Sequence, residues 1–245
     1  IFYTLNPREP KFFPLSISAM AKIFYAANEN WTLSSKFYDI TNYGFFNGNK
    51  AQAGQIAGNL YEEIHRLRGK KMVLGECGHG SRANRWEGPN YLGREYDFDM
   101  ITAVELITGY IKQGRIKLDK SLNKELVTIH DPCNLVRNGG LFEEIRHVVS
   151  SSCSNYTEMD PHGNENFCCG GGGGFLAMSE YNDRRIKIGE IKAEQIRKTG
   201  AKVVVTPCHN CVDQLSQLNH TYKLGVKIKT IAELVADALI IRKNN

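Results

Sequence analysis

The sequence predicts an α/β fold built from two pseudo-symmetric βα halves of a tandem duplication, with parallel-type sheets and the functional site at the strand carboxyl ends. Three observations carry that prediction. Short β-branched runs end directly in cysteine-bearing loops, helix-like segments separate these runs, and three segments of the first half can be laid in order on three of the second. Strands alternating with helices imply parallel sheets with right-handed crossovers. Sheets of this kind bind their ligands outside the carboxyl ends of the strands. The expected halves are residues 1–115 and 116–245.

In chain order, "IFYTL" opens the sequence as a strand, and Ala51–Leu67 reads as a helix. "KMVLGEC" is a strand from Lys71 running into Cys77; "LVTIHDPC" (Leu126–Cys133) repeats that form, and so does "AKVVVTPC" (Ala201–Cys208). Helices are expected over Leu141–Val149, Ser179–Thr199 and Thr230–Arg242, the second with Ile188 and Ile191 on one face and Gly200 as its stop signal. The halves then align. "FYTLNPREP" lies on "VTIHDPCNL", which sets Asn6-Pro7-Arg8 against Asp131-Pro132-Cys133. "WTLSSKFYDITNYGFFNG" lies on "YTEMDPHGNENFCCGGGG", which sets Gly44-Phe45 against Cys168-Cys169. "KKMVLGECGHG" lies on "AKVVVTPCHNC", which sets Cys77 against Cys208 and Gly80 against Cys211. The first interval agrees (35 residues between Arg8 and Gly44, 34 between Cys133 and Cys168), whereas the second, 31 against 38, requires a change of loop length. The first copy keeps one cysteine of five.

Composition narrows the function class. The chain has 245 residues, 42% of them hydrophobic, and no apolar run near the ~20 residues of a membrane span. A net charge of +5 with dispersed lysines describes a solvated surface rather than a nucleic-acid footprint. The chain begins at Ile1 inside a strand, so an upstream region is expected. Seven cysteines, an odd number with five in tight motif contexts, argue against a secreted disulfide scaffold and for metal-bound thiolates in a reducing, cytoplasmic compartment. Cys153, in "SSSCSN", lacks such a context and reads as a spectator thiol.

The stretch "ENFCCGGGGGFLAMSEYN" sets two adjacent cysteines against five glycines. Adjacent cysteines rarely pair with each other, and a glycine run gives up backbone entropy with no packing in return. The second half reads C-x34-C-C-G-x37-C-x2-C, which brings five thiols to one sheet edge. A structural zinc site takes four ligands and needs neither an adjacent pair nor a fifth sulfur. Thiolates also hold iron–sulfur clusters, whose acceptor sulfurs attract backbone N–H donors. Glycines offer those donors with no side chain in the way. Gly170, Gly171 and Gly172 are therefore expected against the cofactor. The run Gly170–Gly174 is expected to cover it with bare backbone, partly at positive φ, and Gly171→Val to be more harmful than Gly80→Val.

"HDPC", "NFCCGGGGG" and "TPCHNC" together resemble the cysteine-rich CCG domain of heterodisulfide-reductase-type iron–sulfur subunits, and "WTLSSKFYDITNYGFF" and "GECGHGSR" resemble the same subunits in membrane redox complexes of sulfate reducers. In that family both CCG copies can be intact, each with a noncubane [4Fe–4S] cluster. Here only the second is intact, which implies one such cluster on Cys133, Cys168, Cys169, Cys208 and Cys211. The resemblance further implies electrons arriving from a ferredoxin-type iron–sulfur region or subunit, a thiol/disulfide substrate (small proteins included), and membrane redox-complex subunits as partners at the inner face of the membrane. Biological disulfide couples fall inside the potential range open to iron–sulfur centres.

Other residues carry weaker signals. His130 and His209 flank cluster cysteines, either as proton donors to a leaving thiolate or as hydrogen-bonding loop residues. "GECGHGSR" places Cys77, His79 and Arg82 on one loop expected to face the cluster. Cys77 is expected to be a catalytic or substrate-contacting thiol whose pKa the neighbours His79 and Arg82 lower, with a bystander cysteine as the alternative. Glu76 is a candidate proton carrier, and Asp131-Pro132 is expected to shape a turn. Trp31, Tyr43, Phe45 and Phe46 are expected to fill the place of the lost first cluster, the alternative being an aromatic binding face. Two rivals stand beside the disulfide reading. One is an electron relay between a soluble donor, such as an electron-transfer flavoprotein, and a quinone-reactive membrane partner. The other is a zinc-stabilised binding module.

Overall fold

β-Branched runs buried between helical layers pair as parallel strands, and Val203–Val205 is the clearest case here. The computed structural model describes residues 1–172 and 174–241. Strands β1 (Phe2–Thr4), β2 (Lys71–Leu74) and β3 (Asp99–Thr102) form a parallel sheet in the order β1-β2-β3. Strands β4 (Val127–Ile129), β5 (Tyr156–Thr157), β6 (Val203–Val205) and β7 (Lys227–Lys229) form a second, all-parallel sheet in the order β5-β4-β6-β7. Single parallel bridges from Thr32 to Phe2 and from Asp39 to Leu5 run along the free edge of β1. With that segment in the place of β5, the first sheet matches the second: β1 with β4, β2 with β6, β3 with β7.

The helices repeat the match. Helix α1 (Pro14–Ala26) starts on a proline, where the missing N–H costs nothing, and α2 (Lys50–Arg66) is capped by the Asn49 side chain. Helix α3 (Ala103–Lys112) follows β3 with a capping box from Thr102 and Glu105. Helices α4 (Phe142–Ser152), α5 (Asn182–Ile188), α6 (Glu190–Thr199) and α7 (His209–Tyr222) belong to the second half. Helix α8 (Ile231–Ala238) follows β7 with the same box from Thr230 and Glu233. Among the helix contacts that join the halves are α8 against α1 and α3 against α4, and the strand match exchanges one for the other. One apolar core therefore runs through both sheets, with Tyr3, Phe24, Val73 and Ile107 packed in the same cluster as Val127, Val148, Val205 and Val235.

The strands stop at Leu74, Ile129 and Val205, so Cys77, Cys133 and Cys208 sit in the loops just past them, as expected. Other boundaries differ from the sequence expectation. The expected helix 179–199 is split at Gly189, where a Cβ would stand 2.6 Å from Leu218 Cδ2. Ile188 and Ile191 are about half exposed; the buried face instead carries Arg185, Lys192, Ala193, Gln195 and Ile196. The last helix ends at Ala238 because Leu239 and Ile240 turn away to pair with Leu118 and Lys117, and Arg242 lies outside the described residues. Trp31 stacks on Phe24 (4.8 Å between centroids) at the edge of the main core.

Candidate metal centre

The ends of β4 and β6 open onto a small, tightly lined cavity. Its wall contains all five motif cysteines, Cys133, Cys168, Cys169, Cys208 and Cys211, with His130, Gly171, Gly172 and Asn210 from the second half and Gly78 and His79 from the first. Cys208 precedes α7 and Cys211 lies in its first turn, which is how C-x2-C turns both sulfurs inward. The Cys169 and Cys211 sulfurs stand 3.4 Å apart. Hydrogen bonds link Cys133 to Cys168, Cys168 to Cys169 and Cys211 to Cys208, so the five thiols form a continuous chain.

The loop before Cys168 is fixed by the "HDPC" aspartate, which does more than shape a turn. Asp131 pairs with the buried Arg146 and accepts the Gly163 N–H (2.7 Å), while its carbonyl accepts from Asn166 Nδ2 (2.7 Å). Beyond the cysteines, the Gly170 and Gly171 N–H groups point at the Cys168 and Cys169 sulfurs (3.4 and 3.5 Å). Gly170 has φ +88°, in the left-handed region that disfavours side chains. At Gly171 a Cβ would come within 2.8 Å of Gln214 Cβ, whereas at Gly172 it would meet nothing within 4 Å. Gly173, part of the expected cover, lies outside the described residues. Gly80 is no tolerant control, since a Cβ there would lie 2.5 Å from Ile40 Cδ1.

The thiols do not hold their protons evenly. Hydrogen bonds from Cys133 and then Cys169 hold Cys168 far below the ordinary thiol range, and donation to Cys168 pushes Cys133 and Cys169 up. Cys211 is raised by its contacts with Cys169 and Cys208. Cys208 is brought to about 7 by the Cys211 hydrogen bond, helped by the N–H groups of Gly78, Cys211 and Asn210 and opposed by burial. Such a set binds a cation by releasing the shared protons. Two buried cations lie behind it. Lys192 donates to Asn166 Oδ1 (2.6 Å), and Arg185 donates to Gln214 and Asn182.

The expected catalytic residues divide into two pairs. His79 and His130 reach the cavity wall; Cys77 and His209 are not among its lining residues. His79 is bonded through Nδ1 to Asn210 and stacked edge-on against Phe46 (4.9 Å), and burial lowers its pKa. His209 is neutral, pushed down to about 4 by burial, and faces the first half, with Nδ1–H donating to the Glu76 carbonyl (2.8 Å) and Nε2 3.0 Å from Ser16 Oγ. Cys77 is fully buried with Phe2, Ile40 and Leu74; its sulfur accepts from Asn6 Nδ2 and the Gly80 N–H, both at 3.3 Å. The expectation that His79 and Arg82 would lower the Cys77 pKa is corrected: burial pushes it up to about 12, so the thiol is protonated. Glu76 is buried and accepts the Ile231 N–H at the start of α8 (2.8 Å), which ties the halves together. Cys153 donates to the Val149 carbonyl (3.3 Å) and lies away from the cavity wall.

Residues 127–216, the segment that carries all five cysteines, match the family described as CCG, cysteine-rich domain. The chain belongs to the CCG-domain family. It is 34% identical over 178 residues to one subunit of the dihydromethanophenazine:CoB–CoM heterodisulfide reductase of Methanosarcina mazei, covering 72% of this chain and 43% of the relative. It is 30% identical over 239 residues to the Hdr-like menaquinol oxidoreductase iron–sulfur subunit 2 of Archaeoglobus fulgidus, covering 82% of this chain and 42% of the relative. A third relative, the EtfAB:quinone oxidoreductase of Syntrophomonas wolfei, is 25% identical over 153 residues, 60% of this chain and 21% of the relative. The chain spans less than half the length of these relatives.

The CCG cavity fits an iron–sulfur cluster by its donor set: five thiols lining one cavity, one more than a tetrahedral zinc site takes, with two glycine N–H groups at the sulfurs and buried cations behind. Lys192 and Arg185 escape a reading of motifs because neither has a motif, and Asn210 escapes it although it lies inside "TPCHNC". Their signal is a charged or amide side chain on the inward face of a helix, where an amphipathic pattern calls for an apolar one.

Proposed function

We propose that this chain is the iron–sulfur oxidoreductase subunit of a membrane-associated redox complex, with one noncubane [4Fe–4S] cluster on Cys133, Cys168, Cys169, Cys208 and Cys211 and a thiol/disulfide substrate. The observation that supports it most is the five-thiol cavity closed on one side by the glycine loop and on the other by Gly78 and His79. When bound, such a cluster supplies electrons one at a time to a sulfur centre.

The chain's own residues would do the remaining work. Gly171 and Gly172 leave bare backbone where a substrate sulfur approaches, and Cys168 is the exposed cysteine of the five. A groove next to the cavity shares Gly171, His79 and Asn210 with it and adds Tyr43, Phe46, Leu176 and Arg8, the last paired with Asp213, a mixed apolar and polar wall for the substrate's body. His79, held by Asn210, is the hydrogen-bond donor to a departing thiolate. Cys77 positions the Gly78–His79 loop by capping the short helix Gly78–Ser81. Partner subunits, a ferredoxin-type region among them, deliver electrons and attach the chain to the inner face of the membrane. Among the described residues no helix is long and apolar enough to cross a membrane. The matched sheets and helix contacts support a tandem duplication, with a boundary near the turn at Gly114 that follows α3.

The test is a count of thiols. Reduced, cluster-loaded protein mixed with a small disulfide should release two thiols for every two electrons taken up, as RSSR + 2e− + 2H+ → 2RSH requires. A protein that passes its electrons to a menaquinone analogue and leaves the disulfide intact is a relay instead, the reading that the quinone-oxidoreductase relatives favour.

A further inference from the structure

His130 is fully buried, forms part of the cavity wall, and has no hydrogen-bond partner at either ring nitrogen. A neutral imidazole carries one N–H donor and one acceptor, and a buried polar group left unpaired costs about 1–3 kcal/mol. The ring is not free to seek a partner elsewhere. Its own backbone N–H is bonded to the Val205 carbonyl (2.9 Å), and the next residue, Asp131, is clamped by Arg146 and Gly163. One His130 nitrogen, the Cys169 sulfur and the Cys211 sulfur all lie within 4.8 Å of one another. The nearest unmet need of this side chain is therefore in the cavity.

We propose that His130 is a direct partner of the cluster, its ring N–H donating to a cluster sulfur beside Cys169 and Cys211. The inference rests on the reading of the five cysteines as cluster ligands. Five thiolates would outnumber the four irons of such a cluster, so no iron would need a nitrogen, and the cluster sulfurs would be the acceptors left for the N–H. Reduction adds negative charge to the cluster, and a hydrogen bond to sulfur stabilises that charge, which raises the reduction potential. His130 is in this account a positioning and tuning residue rather than a proton shuttle.

The test uses cluster-loaded wild-type protein, His130→Leu and His130→Gln. Iron and acid-labile sulfide counts on the wild type decide the cluster reading by themselves; no cluster overturns both. With the cluster present, His130→Leu should keep the wild-type iron count and lower the midpoint potential by at least a tenfold change in the reduction equilibrium, about 59 mV for one electron. His130→Gln, which keeps an N–H donor, should recover part of that. If His130→Leu fails to load, wild-type protein labelled with 15N-histidine decides by pulsed electron paramagnetic resonance. A weak nitrogen coupling supports donation, a strong one shows a direct iron–nitrogen bond and overturns it, and none overturns it too. An unshifted potential in His130→Leu likewise rejects the donor role while the cluster reading stands.

Discussion

Lys192 makes the metal centre costly to the empty chain, and that cost can be measured without the metal. Its ammonium is fully buried, donates to Asn166 Oδ1 (2.6 Å), and lies 3.6 Å from Met159 Sδ. Burial pushes its pKa down to about 8 against the pull of the nearby thiols. At about 1.36 kcal/mol per pH unit, the gap to a free lysine near 10.4 amounts to about 3 kcal/mol that the cluster-free chain gives up to keep Lys192 charged at pH 7. Between pH 8 and about 10.4 the native state has lost this proton and the unfolded state still holds it, so stability rises with pH there. Lys192→Met removes the charge; after about 1 kcal/mol for the stranded Asn166 acceptor, the cluster-free variant should be about 2 kcal/mol more stable at pH 7. Urea unfolding of both proteins at pH 7, 9 and 10.5 measures this, and their difference should shrink as pH rises. In the cluster-loaded protein the same substitution should lower the midpoint potential, because a cation opposing the cluster's charge is gone. A variant that is less stable at every pH, with an unchanged potential, would refute the reasoning.

Glu76 is held at about 8 by burial, so the native state keeps a proton that the unfolded state loses near 4.3. Its contribution is present at low pH and is lost as pH rises to 8, by up to about 5 kcal/mol. Glu76→Gln keeps an acceptor for the Ile231 N–H and should flatten that fall in a series of unfolding curves from pH 5 to 8. Cys77→Ser preserves the cap on Gly80, since Ser is a good N-cap residue, and should retain iron, sulfide and disulfide turnover; Cys77→Val, which lacks an acceptor, should lose turnover. Turnover abolished by Ser would instead make Cys77 a reactive thiol. Gly171→Val, which drives a side chain into Gln214, should impair cluster loading at least tenfold more than Gly172→Ala, where the space is open. Iron retention after gel filtration reads the difference, and equal retention would remove the close-approach argument.

Strands β1, β2, β4 and β6 and the five cysteines are legible in the sequence because they have local signals. Val203–Val205 is a β-branched run that can only be buried, and C-C-G with C-x2-C leaves few chemistries for the sulfurs. The sequence pairing of Cys77 with Cys208 has a structural counterpart, since each precedes a helix after a parallel strand. Tertiary context hides the rest. The edge strands β3, β5 and β7 carry charged or polar residues that no periodicity marks. The Cys77 pKa is hidden because its sequence neighbours are not its spatial ones. Arg82 reaches out towards Glu87 and the Phe45 ring, while Asn6, Phe2 and Ile40 come from distant segments to surround the sulfur. Lys192 and Arg185 look like the solvated side of a helix, yet the outer side of this one carries Ile188 and Ile191.

The central claim is that five cysteines hold one iron–sulfur cluster, and metal analysis of anaerobically purified protein tests it most directly. Wild-type chain and Cys153→Ser should each contain roughly four irons and four acid-labile sulfides, while Cys169→Ser should fall well below both or change the electron paramagnetic resonance spectrum. A colourless protein with one zinc and no sulfide, or full iron in Cys169→Ser with an unaltered spectrum, would contradict it.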